Sequence, residues 1–141
     1  MAAARPDAFL PNLASSLNNL SDRLGELKRS EEGLMAVQEA VQVYRKLSEA
    51  NSERFLPDLA TSLKTLSIRL GELGHREEGM TVVQEAIEIY RKLAEVRPAV
   101  FLRDLVKSLS SLSRLLDQMG RSNEARAAAD EVTAITARFP S

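Results

Sequence analysis

The sequence predicts an all-α solenoid: three tandem helix-turn-helix units, six antiparallel helices, one domain. Three observations carry this. First, Phe9-Leu10-Pro11-Asn12-Leu13-Ala14 returns as Phe55-Leu56-Pro57-Asp58-Leu59-Ala60 and, decayed, as Phe101-Leu102-Arg103-Asp104-Leu105-Val106. The offset is about 46 residues, within the range of helical repeat arrays. Second, the first two copies agree at roughly 26 of 46 positions. Third, apolar residues recur at spacings of three and four, and no stretch shows sustained period-two alternation of β-branched residues. The units read as about 9–54, 55–100 and 101–141, together one domain over residues 1–141.

In unit one, Leu10, Leu13, Ala14, Leu17, Leu20, Leu24 and Leu27 form one apolar stripe of a first helix. Pro11 is expected in its first turn, where a missing N–H costs nothing. A second helix is expected from about Ser30 to Ala50, with Ser30 as N-cap and Glu31 and Glu32 at the positive end of the dipole. Its stripe is Leu34, Val37, Ala40, Val41, Tyr44 and Leu47. Unit two copies both helices, through Leu59, Leu63, Leu66, Leu70 and Leu73 and then Met80, Val83, Ala86, Ile87, Tyr90 and Leu93. Gly74 and Gly120 can take the positive φ that ends a first helix. Lys28 stands at that place in unit one, so its turn is expected to be strained or differently capped. Asn51, Ser52 and Pro98 are expected to stop the second helices.

The composition narrows the function classes. With 141 residues and a formal net charge of −1, the chain has the length for one core but no cationic surplus. Phosphate binding needs Lys and Arg in excess on one face, so nucleic acid is not an expected partner. An anionic membrane is not expected either, and no window approaches the ~18 apolar residues of a spanning helix. Cysteine is absent, which removes disulfides and thiolate metal sites. Met1 to Asp7 has no apolar run behind a basic segment, so no signal peptide is read and the expected location is cytoplasmic.

Leu17, Leu20, Ser21 and Leu24, followed by Gly33 and Val37, fall at the signature spacing of a known repeat. Leu63, Leu66, Ser67, Leu70, Gly79 and Val83 repeat it, as do Leu109, Leu112, Ser113, Leu116, Ala125 and Ala129. The whole chain resembles the tetratricopeptide repeat family in a long-unit form. The standard unit has 34 residues, so each unit here is longer by about 12, and Leu stands at the aromatic signature positions. The resemblance implies a right-handed superhelix whose first helices line a concave groove for an extended or helical partner segment.

The two ends read differently. Leu34, Val41 and Tyr44, then Met80, Ile87 and Tyr90, become Arg126, Thr133 and Thr136 in unit three. A terminal repeat turns its outer face polar, so Ser122 to Phe139 reads as a C-terminal cap, with Ile135 and Phe139 packing inward. Simple drift of one copy is the alternative. Ala4-Arg5-Pro6-Asp7-Ala8-Phe9 resembles the linker Val96-Arg97-Pro98-Ala99-Val100-Phe101, and no polar helix precedes Leu10. The chain is therefore expected to be the C-terminal part of a longer array, with an uncapped first unit through which it could homo-oligomerise.

The resemblance places Asn18, Asn19 and Asp22 of unit one, Lys64, Thr65 and Ile68 of unit two, and Lys107, Ser111 and Arg114 of unit three on the groove. Short polar and charged residues of this kind hydrogen-bond a peptide backbone. They equally serve as the solvated face that every soluble helix needs. Ile68 breaks the polar face, either as a pocket floor or as a lone exposed apolar residue. The two-carboxylate clamp of chaperone-binding repeats is not matched, since only Lys107 fits and Asp22 would repel a carboxylate. No cofactor and no enzyme activity are expected. His75 is the only histidine, Glu31-Glu32 and Glu77-Glu78 read as helix-start acids, and no glycine-rich phosphate loop is present. The expected function is a protein-binding scaffold for a partner protein or peptide. The alternative is a structural spacer or oligomerisation element acting through repeat-end stacking.

Overall fold

Amphipathic helices this apolar on one side cannot stand alone, and they pair in chain order. In the computed structural model of the chain, which describes residues 6–139 with side chains from Phe9 onward, α1 runs Pro6–Glu26, α2 Ser30–Ala50, α3 Ser52–Glu72, α4 Arg76–Val96, α5 Pro98–Gln118 and α6 Ser122–Arg138. No strand occurs among the described residues. Each helix packs on the next, and beyond that, among the described residues, only α1 with α3 and α3 with α5 approach one another. This is the packing of an α-solenoid. No Cα atoms of α2 and α4 lie within 8 Å of each other, whereas Cα atoms of α1 and α3 do. The array is therefore tighter along its row of first helices and bends toward α1, α3 and α5.

One continuous core runs through the units. Val37, Leu63, Val83, Tyr90 and Leu109 are at most 1% exposed. Burying each such aliphatic side chain is worth about 1.5–3 kcal/mol. Cβ direction explains the choice of residues: positions three and four apart share a face, and that face meets both neighbours in the row.

The three internal turns are built alike. The N–H of Arg29 donates to Leu24 O at 2.8 Å, that of His75 to Leu70 O at 2.9 Å and that of Arg121 to Leu116 O at 2.8 Å. The residue before each takes positive φ: Lys28 at 62°, Gly74 at 84° and Gly120 at 77°. Each bond closes a Schellman motif. The strain expected at Lys28 is present, since a side chain there crowds the following carbonyl.

Four sequence expectations are corrected. Each first helix starts ahead of its phenylalanine, at Pro6, Ser52 and Pro98, so Pro11 and Pro57 lie in the second turn. There a proline removes one helical hydrogen bond, and in unit two burial of Phe55 to 6% exposure offsets that loss. Ser52 and Pro98 open helices instead of stopping them, and the links are the single residues Asn51 and Arg97. Ser30 is not an N-cap. Arg29 holds that place and pairs with Glu32 at 2.6 Å, while the Ser30 hydroxyl donates to Glu72 at 2.7 Å. Leu20, Leu27 and Phe139 are 46%, 65% and 48% exposed. Leu20 and Leu27 look away from α2 and α3, and Phe139 lies past the last turn of α6. The Ala4-Arg5 part of the linker comparison lies outside the described residues.

Candidate interaction face

The nine residues assigned to a groove lie on the inner row, three on each of α1, α3 and α5. Their exposure differs. Asn19, Asp22, Lys107 and Arg114 reach solvent, Ser111 is half-buried, and Ile68 is 37% exposed. Asn18 and Thr65 are buried, 9% and 4% exposed, because the neighbouring helices cover them. The Asn18 carbonyl oxygen has no hydrogen-bond partner. An amide oxygen closed off without a donor costs roughly 1–3 kcal/mol.

The face is electrostatically mixed. The Lys64 ammonium lies 3.8 Å from the Asp104 carboxylate, with its side chain 16% exposed. Burial holds Lys64 below the usual lysine range, and Asp104 partly restores it. Burial pushes the Asp22 carboxyl up, against the pull of Arg69 and Lys64. Between α3 and α5, Ile68, Ser111, Arg114 and Gln118 line a recess of about 200 Å³. Leu115 adds to its apolar lining, and its polar groups are the Ser111 hydroxyl, the Gln118 amide, the Arg114 guanidinium and the Glu72 carboxylate. Three of the nine residues thus converge on one recess. Asn19 and Asp22 line a separate, shallow depression on α1 with Arg23, Glu26 and Leu27.

Two features have no counterpart in the residue-by-residue reading. Arg69 is 6% exposed and crosses from α3 into unit one, where Nη1 donates to Ser21 O at 2.8 Å. Its Nε lies 3.2 Å from Glu72 without the angle of a hydrogen bond. The second feature is a ladder on the outer row. Arg45 donates to Glu85 at 2.7 and 2.9 Å, and Arg91 pairs with Glu131. The signal for this ladder is in the repeat itself: Arg45 and Arg91 are equivalent places, as are Glu85 and Glu131.

No group of three or more metal-ligating side chains occurs among the described residues. No helix among them is long and apolar enough to cross a membrane. His75 is exposed and lies 3.8 Å from Glu78 across the start of α4.

Residues 13–53 match the family model described as Tetratricopeptide repeat. No curated protein matches the chain. The matched stretch covers most of α1 and all of α2, and the two later helix pairs are copies of it in sequence and in turn geometry. The stretch 13–53 is thus similar to the tetratricopeptide repeat, and the six helices stack as a helical-repeat solenoid.

Proposed function

We propose that this protein is an interaction scaffold that takes a segment of a partner protein along the row of α1, α3 and α5. Repeats of this family generally serve protein interaction and carry no catalysis of their own. The observation that carries the reading is the recess between α3 and α5, where apolar Ile68 sits beside Ser111, Arg114 and Gln118. An apolar side chain flanked by a carboxylate fits it: the first onto Ile68, the second onto Arg114. Lys64 and Lys107 extend the cationic side of the same row, and Asp22 and Asp104 alternate with them.

The test is selection from a displayed random-peptide library on the intact chain. Peptides pairing an acidic with a large apolar residue are expected, with binding lost on Ile68→Asp or Arg114→Glu at unchanged helix content. Selected peptides that bind these variants as well as the parent end this reading.

The second reading, a rigid spacer, is favoured by the outer ladder of Arg45–Glu85 and Arg91–Glu131, which ties alternate helices together. Charge reversal at Lys64, Lys107 and Arg114 separates the two, since it leaves a spacer unaffected.

A further inference from the structure

Unit two shows what α1 lacks. Phe55, Leu66 and Arg69 of α3 are 6%, 8% and 6% exposed, and Arg69 reaches into unit one. Their equivalents on α1, Phe9 and Leu20, are 52% and 46% exposed, and Arg23 lies in solvent. The seat of Arg69 is made of small residues. Its guanidinium fills the space a Cβ on Gly25 would take, and its Cδ lies 3.1 Å from the place of a Cβ on Gly33. Leu115 repeats the arrangement on unit two, 3.2 Å from the Cβ place of Gly71 and 3.4 Å from that of Gly79. On the outer row Glu85 receives Arg45 and Glu131 receives Arg91, while Glu39, at the same register, has no ion pair among the described residues.

The far end of the array does not repeat the seat. Asp117 and Ala125 stand where units one and two have glycine. Thr133 and Thr136 replace the buried pairs Val41 with Tyr44 and Ile87 with Tyr90, and Ala137 replaces Arg45 and Arg91.

We propose that the outer face of α1, formed by Phe9, Leu20 and Arg23 with Glu39 beside it, docks a helix pair from outside these 141 residues. That helix pair carries glycine at the Gly25 and Gly33 places and arginine at the Arg45 place. Charge complementarity selects it: Arg23 needs a carbonyl above a glycine seat, and Glu39 needs a guanidinium. A second copy does not supply these groups. Its free end keeps an apolar recess of Leu102, Val106, Ile135 and Phe139, but it has no arginine for Glu39 and puts side chains in the seat of Arg23. The surface is separate from the inner row, so its failure leaves the groove reading untouched.

The probe is this chain with its free end returned to the unit-two residues: Asp117→Gly, Ala125→Gly, Thr133→Ile, Thr136→Tyr and Ala137→Arg. It is mixed with the labelled parent chain in sedimentation velocity. The parent is expected to be captured by the probe and not by itself, and the probe alone is expected to grow open-ended chains, as a heterologous contact does. Arg23→Ala in the parent should weaken capture by roughly tenfold or more, the loss of one charge-assisted hydrogen bond in a closed seat. A folded probe that captures nothing overturns the proposal. So does a parent that self-associates as tightly as it binds the probe, since the occupant is then a second copy. If the probe does not fold, a copy of residues 55–100 is placed ahead of residue 9 in the full chain. Hydrogen exchange at Leu20 should then slow, and Arg23→Ala should reverse the slowing. Exchange that is unchanged by the added unit overturns the proposal as well.

Discussion

The Arg69 side chain lies in the space that a Cβ on Gly25 would occupy. The glycine is thus the floor of an arginine seat in the next unit. Gly25→Ala is expected to evict the guanidinium and leave Ser21 O without its donor, at a cost of about 2 kcal/mol. Arg69→Ala should cost a similar amount, by removing both the donor and the stem that covers Leu24. Arg69→Leu should fall within about 1 kcal/mol of the parent, since Leu115 fills the equivalent seat and apolar replacement of a buried ion is often neutral. Urea unfolding of the three variants checks this order. Equal losses for Ala and Leu would show that the charge, not the filled volume, holds the joint.

Lys28 and Gly74 close the same turn with the same hydrogen bonds, but only one of them is a glycine. Lys28→Gly is expected to stabilise the chain by about 0.5–1 kcal/mol, through relief of left-handed crowding. Gly74→Ala should cost about 1 kcal/mol. No neighbour lies within 4 Å of a Cβ there, so the cost is conformational alone. Opposite signs in thermal unfolding are the check.

Ser21 and Ser67 occupy equivalent buried places with different bonding. The Ser67 hydroxyl donates to Gly79 O at 2.8 Å, while the Ser21 hydroxyl has no partner. Ser67→Ala should cost about 1 kcal/mol, and Ser21→Ala should be neutral or slightly stabilising. A denaturant midpoint that falls for Ser21→Ala by as much as for Ser67→Ala would refute the difference.

How far the sequence reveals this fold depends on which force sets each feature. The helix pairs, the turns at Gly74 and Gly120 and the strain at Lys28 follow from local chemistry, and they were legible. The helix starts were not. A proline argues locally for the first turn, but burial of Phe55 draws the helix out ahead of it. Arg69 was hidden because an arginine reads as surface. Its tell was Leu115 at the same register, which marks the place as apolar in character. The inner-row residues were legible as a row through their period, but not in their exposure. Asn18 and Thr65 are covered by neighbouring helices, which only packing reveals.

The Arg45–Glu85 pair sets an acid dependence. The bidentate bond from Arg45 holds the Glu85 carboxyl below its ordinary value of 4.5. A carboxyl with a lowered folded pKa contributes stability above its unfolded value and loses it as the pH falls through the folded one. The contribution is therefore full above pH 4.5 and fades below it. Both partners are over 40% exposed, so solvent screening limits it to under about 1 kcal/mol. Glu85→Gln should flatten the stability profile below that pH and leave the alkaline side unchanged. An unaltered acid slope would show that the bridge is too screened to matter.

The alkaline limit belongs to Tyr90. Burial pushes its hydroxyl from 10.0 up to about 12, partly opposed by its 3.0 Å hydrogen bond with Thr61. A tyrosine whose folded pKa is raised adds stability that is full below its unfolded value and is lost as the pH rises through the folded one. The loss should therefore fall between pH 10 and about 12. Tyr44 is raised as well, chiefly by burial, and these are the chain's two tyrosines. Ultraviolet titration of tyrosinate should show no step at the ordinary value, and Tyr90→Phe should remove the higher of two late steps. Tyr90→Phe should also cost about 1 kcal/mol near neutrality, where the hydroxyl is bonded, and make stability less steep above pH 10. A normal tyrosine step in the folded parent would mean that the joint between α3 and α4 opens to water far more readily than its packing allows.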